Sequence, residues 1–135
     1  MLRQVLAVSL ILSSIAPLAM ADDNDEIDHL LNFLGKSECS FVRNGKTYDA
    51  EAARAHIEGK YDYAKRWIRT TEQFIEYAAT QSSLSGEPYQ VVCSGHKESS
   101  ADWLKRELAR LRATSPPKGG PESPQRNREK TPLPD

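Results

Sequence analysis

The chain has 135 residues and a formal net charge of −1, with acidic and basic side chains interspersed along its length. The sequence carries no basic block of the kind that binds a nucleic-acid backbone or an anionic membrane surface, so its charge argues against both partners. Apolar residues make up 39% of the chain, a figure inflated by an apolar amino-terminal segment. The remainder suffices for one small domain with a modest core.

Residues 1–21 have the organisation of a secretory signal peptide. Arg3 supplies a positive charge, an apolar stretch follows, and Ala19-Met20-Ala21 has the small-x-small pattern that signal peptidase cleaves. The alternative is an uncleaved membrane anchor. Pro17 interrupts the apolar stretch, however, and a spanning helix needs about 20 apolar residues. The sequence therefore predicts cleavage after Ala21, export to the bacterial periplasm and a mature chain without a membrane span.

The first part of the mature chain predicts a helix and then a β-hairpin. Residues 24–34 place four apolar side chains on one helical face, and Gly35 is expected to end the helix in the left-handed conformation. Two short β-prone runs within residues 39–48 flank Asn44-Gly45, a strong hairpin signal because both turn positions require a positive φ. The apolar face consists of Ile27, Leu30, Leu31 and Leu34.

The middle of the chain predicts one long helix over residues 49–80. Asp49 can cap its start, and Gly59 marks a point where it could bend. Aromatic side chains widen its apolar stripe, and we interpret them as core rather than as a ligand groove. Residues 80–88 then form a polar turn region. The aromatic side chains are Trp67, Phe74 and Tyr77.

The last part predicts a strand, a helix and a tail. Residues 89–93 form a third short strand, and a capping box at Ser99 starts a helix that ends near Arg112. Residues 114–135 are rich in proline and poor in apolar side chains, which predicts disorder. No internal repeat is visible. Residues 22–113 are thus expected to form a single small α+β domain in which a small antiparallel sheet packs on helices.

Cys39 and Cys93 are the two cysteines of the chain. An even number of cysteines in an exported chain predicts a disulfide, and each lies at the end of a predicted strand. A metal site is the alternative, because Cys93-Ser-Gly-His96 has half of a zinc spacing. A structural zinc site takes four ligands, however, and only Cys39, His29 and His56 could supply the rest. We therefore favour the disulfide and expect neither a metal nor a cofactor.

Three basic residues could form a site for a carboxylate or phosphate. His56 and Lys60 are spaced i, i+4 and share one helix face, and Arg43 lies in the hairpin just before them. The alternative is an ordinary solvated helix face on which the lysine extends its amine into water.

A serine-rich segment offers a second, catalytic interpretation. Ser82, Ser83 and Ser85 precede Gly86, and one of these hydroxyls could act as a nucleophile with His56 as its base. The segment lacks the Gly-x-Ser-x-Gly pattern of a nucleophile elbow. Serines in such a loop more often bond to their own backbone, so the structural role is favoured.

Several segments, taken in order, resemble a known family. Over residues 26–112 the chain is similar to the YfeK-like family of short exported bacterial proteins of unknown function. The resemblance implies a Gram-negative periplasmic setting, and it implies that Arg43-Asn44-Gly45, His56, Lys60 and residues 82–89 are family features. It implies no activity. The segments are Ile27-Asp-His-Leu-Leu31, Cys39-Ser-Phe-Val-Arg-Asn-Gly45, Ala53-Arg-Ala-His-Ile-Glu-Gly-Lys-Tyr61, Thr71-Glu-Gln-Phe-Ile75 and Ser82-Ser-Leu-Ser-Gly-Glu-Pro-Tyr-Gln-Val-Val-Cys93.

The leading hypothesis is an exported, non-catalytic protein that binds a partner, such as another periplasmic protein, or a small anionic ligand. The alternative is a small periplasmic hydrolase or transferase that uses a serine of residues 82–85 with His56.

Export is directly testable. Because the Ala19-Met20-Ala21 pattern directs cleavage, we expect protein recovered from the periplasm to have an intact mass that corresponds to a chain starting at Asp22. Recovery of the full-length chain in the membrane fraction would contradict this expectation.

Overall fold

The computed structural model describes residues 22–115, so the predicted signal peptide and the tail beyond Ser115 lie outside the described residues. The predicted α+β class is confirmed. No helix in residues 22–115 has the length and apolar character needed to cross a membrane. In chain order the elements are α1 (Asp23–Lys36), β1 (Ser40–Arg43), β2 (Lys46–Tyr48), α2 (Ala50–Ala64), α3 (Thr71–Ala78), β3 (Gln90–Cys93), β4 (His96–Ser99) and α4 (Ser100–Thr114).

Two β-hairpins join side by side into one antiparallel sheet with strand order β2-β1-β3-β4. The predicted Asn44-Gly45 turn is present, with φ values of 50° and 75°. The sequence prediction missed the second hairpin, whose Ser94-Gly95 turn has φ values of 49° and 78°. Each hairpin leads directly into a helix of 15 residues. A helix–hairpin–helix order therefore occurs twice, although no repeat is visible in the sequence.

The first helix does not end at Gly35 as predicted. It continues to Lys36, and Gly35 is absent from the residues with positive φ. A Cβ atom at Gly35 would lie 2.7 Å from Cδ of Arg54 in α2. The glycine therefore serves the close approach of α1 to α2 rather than a left-handed helix cap.

The predicted long helix is in fact two helices, and the break is not at Gly59. Gly59 lies inside α2, which ends at Ala64, and α3 begins at Thr71. The Thr70 hydroxyl accepts a hydrogen bond from the backbone N–H of Gln73, whose side chain in turn accepts one from the backbone N–H of Arg69. These reciprocal bonds start a new helix even though the apolar stripe continues across the break.

The helices bury most of their apolar faces against the sheet and against one another. The predicted face of α1 is buried throughout, as are Phe41 of β1 and Val91 of β3. The three aromatic residues that we interpret as core differ in burial. Phe74 is buried, whereas Trp67 and Tyr77 are 57% and 58% exposed. The core interpretation is thus wrong for these last two side chains.

Two buried carboxylates that the sequence analysis did not identify join the helices. Glu26 of α1 receives two hydrogen bonds from the Arg112 guanidinium, at 2.9 and 2.8 Å, and one from the Thr71 hydroxyl at 2.6 Å. Glu107 of α4 accepts from His29 and from Arg110. The bonds from Arg110 lower the pKa of Glu107 against the opposing effect of burial. Both charges are therefore compensated within the core.

A disulfide joins Cys39 to Cys93, and their Cα atoms lie 4.6 Å apart. In the β1–β3 register Ser40 faces Val92, so the cysteines occupy the next facing position along the same two strands. Their separation matches that of a facing pair between the ladder hydrogen bonds of an antiparallel sheet. The bridge therefore fastens the first hairpin to the second.

Loss of this bridge should destabilise the fold. The two cysteines are 54 residues apart, and closing such a loop is worth about 4 kcal/mol in the chain-entropy model. We expect Cys39→Ser to lower the free energy of unfolding in urea by about 2–5 kcal/mol.

The matched control is Cys39→Ser combined with Cys93→Ser. Reductant should lower the stability of the wild type and leave this double variant unchanged. Two titratable thiols in wild-type protein purified without reductant would show that the bridge does not form.

Candidate functional site

Arg43, His56 and Lys60, the three predicted site residues, line one pocket at the end of the sheet. Arg43 is the last residue of β1, and His56 and Lys60 lie on successive turns of α2. The turn of the first hairpin and the loop before β3 complete the wall. We call this the cationic pocket; its other lining residues are Asn44, Lys46, Tyr48, Ser82, Ser83, Leu84 and Tyr89.

Tyr89 lies at the centre of the cationic pocket and is the residue that sequence reasoning missed. Its hydroxyl is 3.0 Å from Nε2 of His56 and 3.2 Å from Nζ of Lys60. The Lys60 amine also lies 5.0 Å from the centroid of the phenol ring. One position beyond the Val42–Gln90 pair of the β1–β3 register, Arg43 faces Tyr89. Strand pairing therefore brings the guanidinium to the same place as the two helix residues.

The cations of the pocket bond to neutral groups. The Arg43 guanidinium stacks 4.5 Å from the Tyr48 ring centroid and donates to the Tyr48 hydroxyl at 3.0 Å. Lys60 donates to the Gln81 carbonyl oxygen at 2.8 Å. Within residues 22–115, neither cation forms an ion pair with a carboxylate.

Burial and the excess of positive charge both lower pKa values in the pocket. Burial, and then the charges of Arg43 and Lys60, lower the pKa of His56. Burial and Arg43 likewise lower the pKa of Lys60. Because a lysine ammonium only donates, the Tyr89 hydroxyl accepts from Lys60 and can donate its own proton to a neutral His56 ring.

The serine-rich segment is bonded to the first hairpin rather than to His56. The Ser82 hydroxyl accepts hydrogen bonds from the backbone N–H groups of Leu84 and Ser85, and from the Asn44 side chain at 3.2 Å. The Ser85 hydroxyl donates to Asn44 Oδ1 at 2.6 Å. No hydrogen bond in the described part of the chain joins a serine of this segment to His56. The geometry thus gives these hydroxyls a structural role at the pocket wall.

The described residues give no support for a zinc site. No group of three or more histidine, cysteine or acidic side chains between residues 22 and 115 is placed to hold a metal ion. The sulfur atoms of Cys39 and Cys93 are joined to each other.

Comparison with known proteins places the chain in a family. The family of unknown function DUF5329 matches residues 21–112. The chain belongs to this family. A curated relative, the uncharacterized protein YfeK of Salmonella typhimurium, is 39% identical over 70 residues, which are 51% of this chain and 58% of the relative. The resemblance drawn from the sequence motifs is confirmed, and no solved structure matches the chain.

The lowered pKa of His56 leads us to predict that the free energy of unfolding depends on pH. Below about pH 6.5 this histidine takes up a proton in the unfolded chain, whereas in the folded chain it does so only at a lower pH. The free energy of unfolding should therefore fall as the pH decreases from about 6.5 to the pKa of His56 in the folded chain. His56→Gln should remove this part of the decline, which is at most about 1.4 kcal/mol per pH unit. Urea unfolding between neutral and mildly acidic pH measures it.

The matched control is His96→Gln, which changes an exposed histidine in β4. The part of the decline that His56→Gln removes should still be present in this variant, because the variant keeps His56. If the free energy of unfolding of His56→Gln kept the full wild-type pH dependence, that result would contradict the lowered pKa of His56.

Proposed function

We propose that this protein is exported to the periplasm, where it binds a small anionic ligand through Arg43, His56 and Lys60 without catalysing a reaction. The observation that carries the proposal is that Arg43 and Lys60 line one pocket and have no carboxylate partner among the described residues.

Four arginines elsewhere in residues 22–115 form ion pairs with glutamates. Arg54 pairs with Glu58 at 3.6 Å, Arg106 with Glu98 at 2.5 Å and Arg110 with Glu107 at 2.7 Å. Arg112 pairs with two glutamates. Each of these four arginines thus has an acid beside it, whereas the described residues that line the cationic pocket include no acid. An anionic ligand would supply the missing charge.

Binding of an anion would also relieve the electrostatic strain within the pocket. After burial, the charges of Arg43 and Lys60 lower the pKa of His56, and after burial the charge of Arg43 lowers the pKa of Lys60. A bound negative charge would raise both pKa values and strengthen the hydrogen bonds that these groups donate. His56 could then serve as a third donor at mildly acidic pH.

Periplasmic location is supported by the signal-peptide pattern of residues 1–21 and by the disulfide between Cys39 and Cys93, since disulfides persist in oxidising compartments. The hydrolase alternative is disfavoured because Ser82 and Ser85 bond to Asn44 while His56 bonds to Tyr89. Within residues 22–115, no hydrogen bond joins a serine of residues 82–85 to His56.

A partner protein is the second candidate. The aromatic side chains of Tyr63, Trp67 and Tyr77 are 83%, 57% and 58% exposed, and exposed aromatic groups are common at protein interfaces. This surface would become the leading candidate if the cationic pocket bound no anion.

Titration with simple anions tests the proposal. We expect acetate and inorganic phosphate to shift the backbone NMR signals of residues that line the pocket. Arg43→Gln should weaken binding about tenfold or more, since a hydrogen bond between charged groups is worth roughly 1.5–3 kcal/mol. Lys105→Gln is the matched control, because it removes an exposed cation of α4 outside the pocket.

Two results of this titration would refute the proposal. Shifts that are scattered over the surface, or that survive unchanged in Arg43→Gln, would mean that the pocket is not an anion site.

A further inference from the structure

A small apolar cavity adjoins the cationic pocket. It has a volume of about 110 Å³ and lies between α2 and the first hairpin, with Phe41, Ala53 and Ile57 among its apolar walls. A ligand held by the cations could therefore extend an apolar portion into this cavity. The residues shared by the cavity and the cationic pocket are Arg43, Tyr48, His56 and Tyr89.

Ser100 lines the cavity but not the cationic pocket. The residue is completely buried. Its backbone N–H donates to the Tyr89 carbonyl oxygen, but its side-chain Oγ has no hydrogen-bond partner. Among the buried polar side chains of the described residues it is the single one in this condition. A buried hydroxyl without a partner is destabilising, and such groups call for an explanation.

The volume of the cavity limits what can enter it. An apolar cavity of about 150 Å³ accommodates benzene, and this cavity, at about 110 Å³, is smaller. It fits a chain of a few carbon atoms. The apolar walls exclude a second charge at the far end of that chain, because burying an unpaired charge is costly.

We propose that the ligand is a short aliphatic carboxylate with a neutral polar group at its far end. Its carboxylate would bind Arg43 and Lys60, its carbon chain would fill the cavity, and its hydroxyl or carbonyl group would bond to Ser100. The planar guanidinium of Arg43 suits a carboxylate, with which it can form two parallel hydrogen bonds. This inference rests on the proposed function, which supplies the anion-binding end of the site.

Three probes separate the parts of the proposal: acetate, pentanoate and 4-oxopentanoate, titrated into the purified mature protein by calorimetry or NMR. Each methylene buried in an apolar site is worth up to about fourfold in affinity, so pentanoate should bind at least about tenfold more tightly than acetate. Arg43→Gln should weaken the binding of all three probes.

Ser100→Ala tests the far end. It should lower the affinity for 4-oxopentanoate relative to pentanoate by about threefold to tenfold, which corresponds to one neutral hydrogen bond. It should leave the preference for pentanoate over acetate intact. Ser40→Ala, which alters an exposed serine of β1, is the matched control and should change neither ratio. Ala53→Leu, which narrows the cavity, should weaken pentanoate while acetate still binds.

The outcomes distinguish the two proposals. Binding of acetate that depends on Arg43, with pentanoate no tighter, would overturn the inference and leave the proposed function standing. If pentanoate binds tightly but Ser100→Ala leaves the ratio of the affinities for 4-oxopentanoate and pentanoate unchanged, the assignment of Ser100 to the polar end of the ligand is wrong. If none of the three carboxylates binds but inorganic phosphate binds in an Arg43-dependent way, the inference is overturned and the proposed function stands. If phosphate does not bind either, both are overturned.

Discussion

The antiparallel pairing of β1 with β3 is the interaction on which the rest of this structure depends. It joins two hairpins that are distant in sequence, and the Cys39–Cys93 bridge fastens one end of it. The other end of the same two strands brings Arg43 to face Tyr89. A slip of one residue would turn every side chain of a strand to the opposite face. The disulfide therefore secures the register that assembles the cationic pocket, and fold stability and site geometry are linked through one pair of strands.

The sequence predicts the elements whose signals are local. The Asn44-Gly45 turn follows from the positive φ at both positions, and α1 follows from its apolar period. Two errors arise because apolar periodicity alone does not show where these elements lie. The apolar stripe runs without interruption past Thr70, whose capping bonds nevertheless begin a new helix. The polar strand β4 lies at the sheet edge and has no apolar alternation that would reveal it.

The site could be predicted only in part for a similar reason. His56 and Lys60 share a helix face at i, i+4, a relation that the sequence states directly. From the sequence, Tyr89 is an ordinary aromatic residue of a strand, because its sequence neighbours do not show that its hydroxyl lies between His56 and Lys60. Ser100 reads as part of a helix start. Its buried, unpartnered hydroxyl depends on α2 and the first hairpin, which lie far away along the chain.

The distribution of uncompensated polar groups supplies the strongest physical argument about function. Glu26 and Glu107 are buried, yet each is held by an arginine and a further donor. Within residues 22–115, by contrast, Lys60 and Arg43 have no acidic partner, and Ser100, whose hydroxyl has no hydrogen-bond partner there, lines the adjoining cavity. A small domain has only about 5–15 kcal/mol of stability, and one unsatisfied buried group costs about 1–3 kcal/mol of it. These groups lie at two adjoining sites, in a fold whose other buried polar side chains among residues 22–115 are compensated. Under the proposed function, a ligand that bound there would offset these costs, because a ligand that binds only the folded state stabilises that state by mass action.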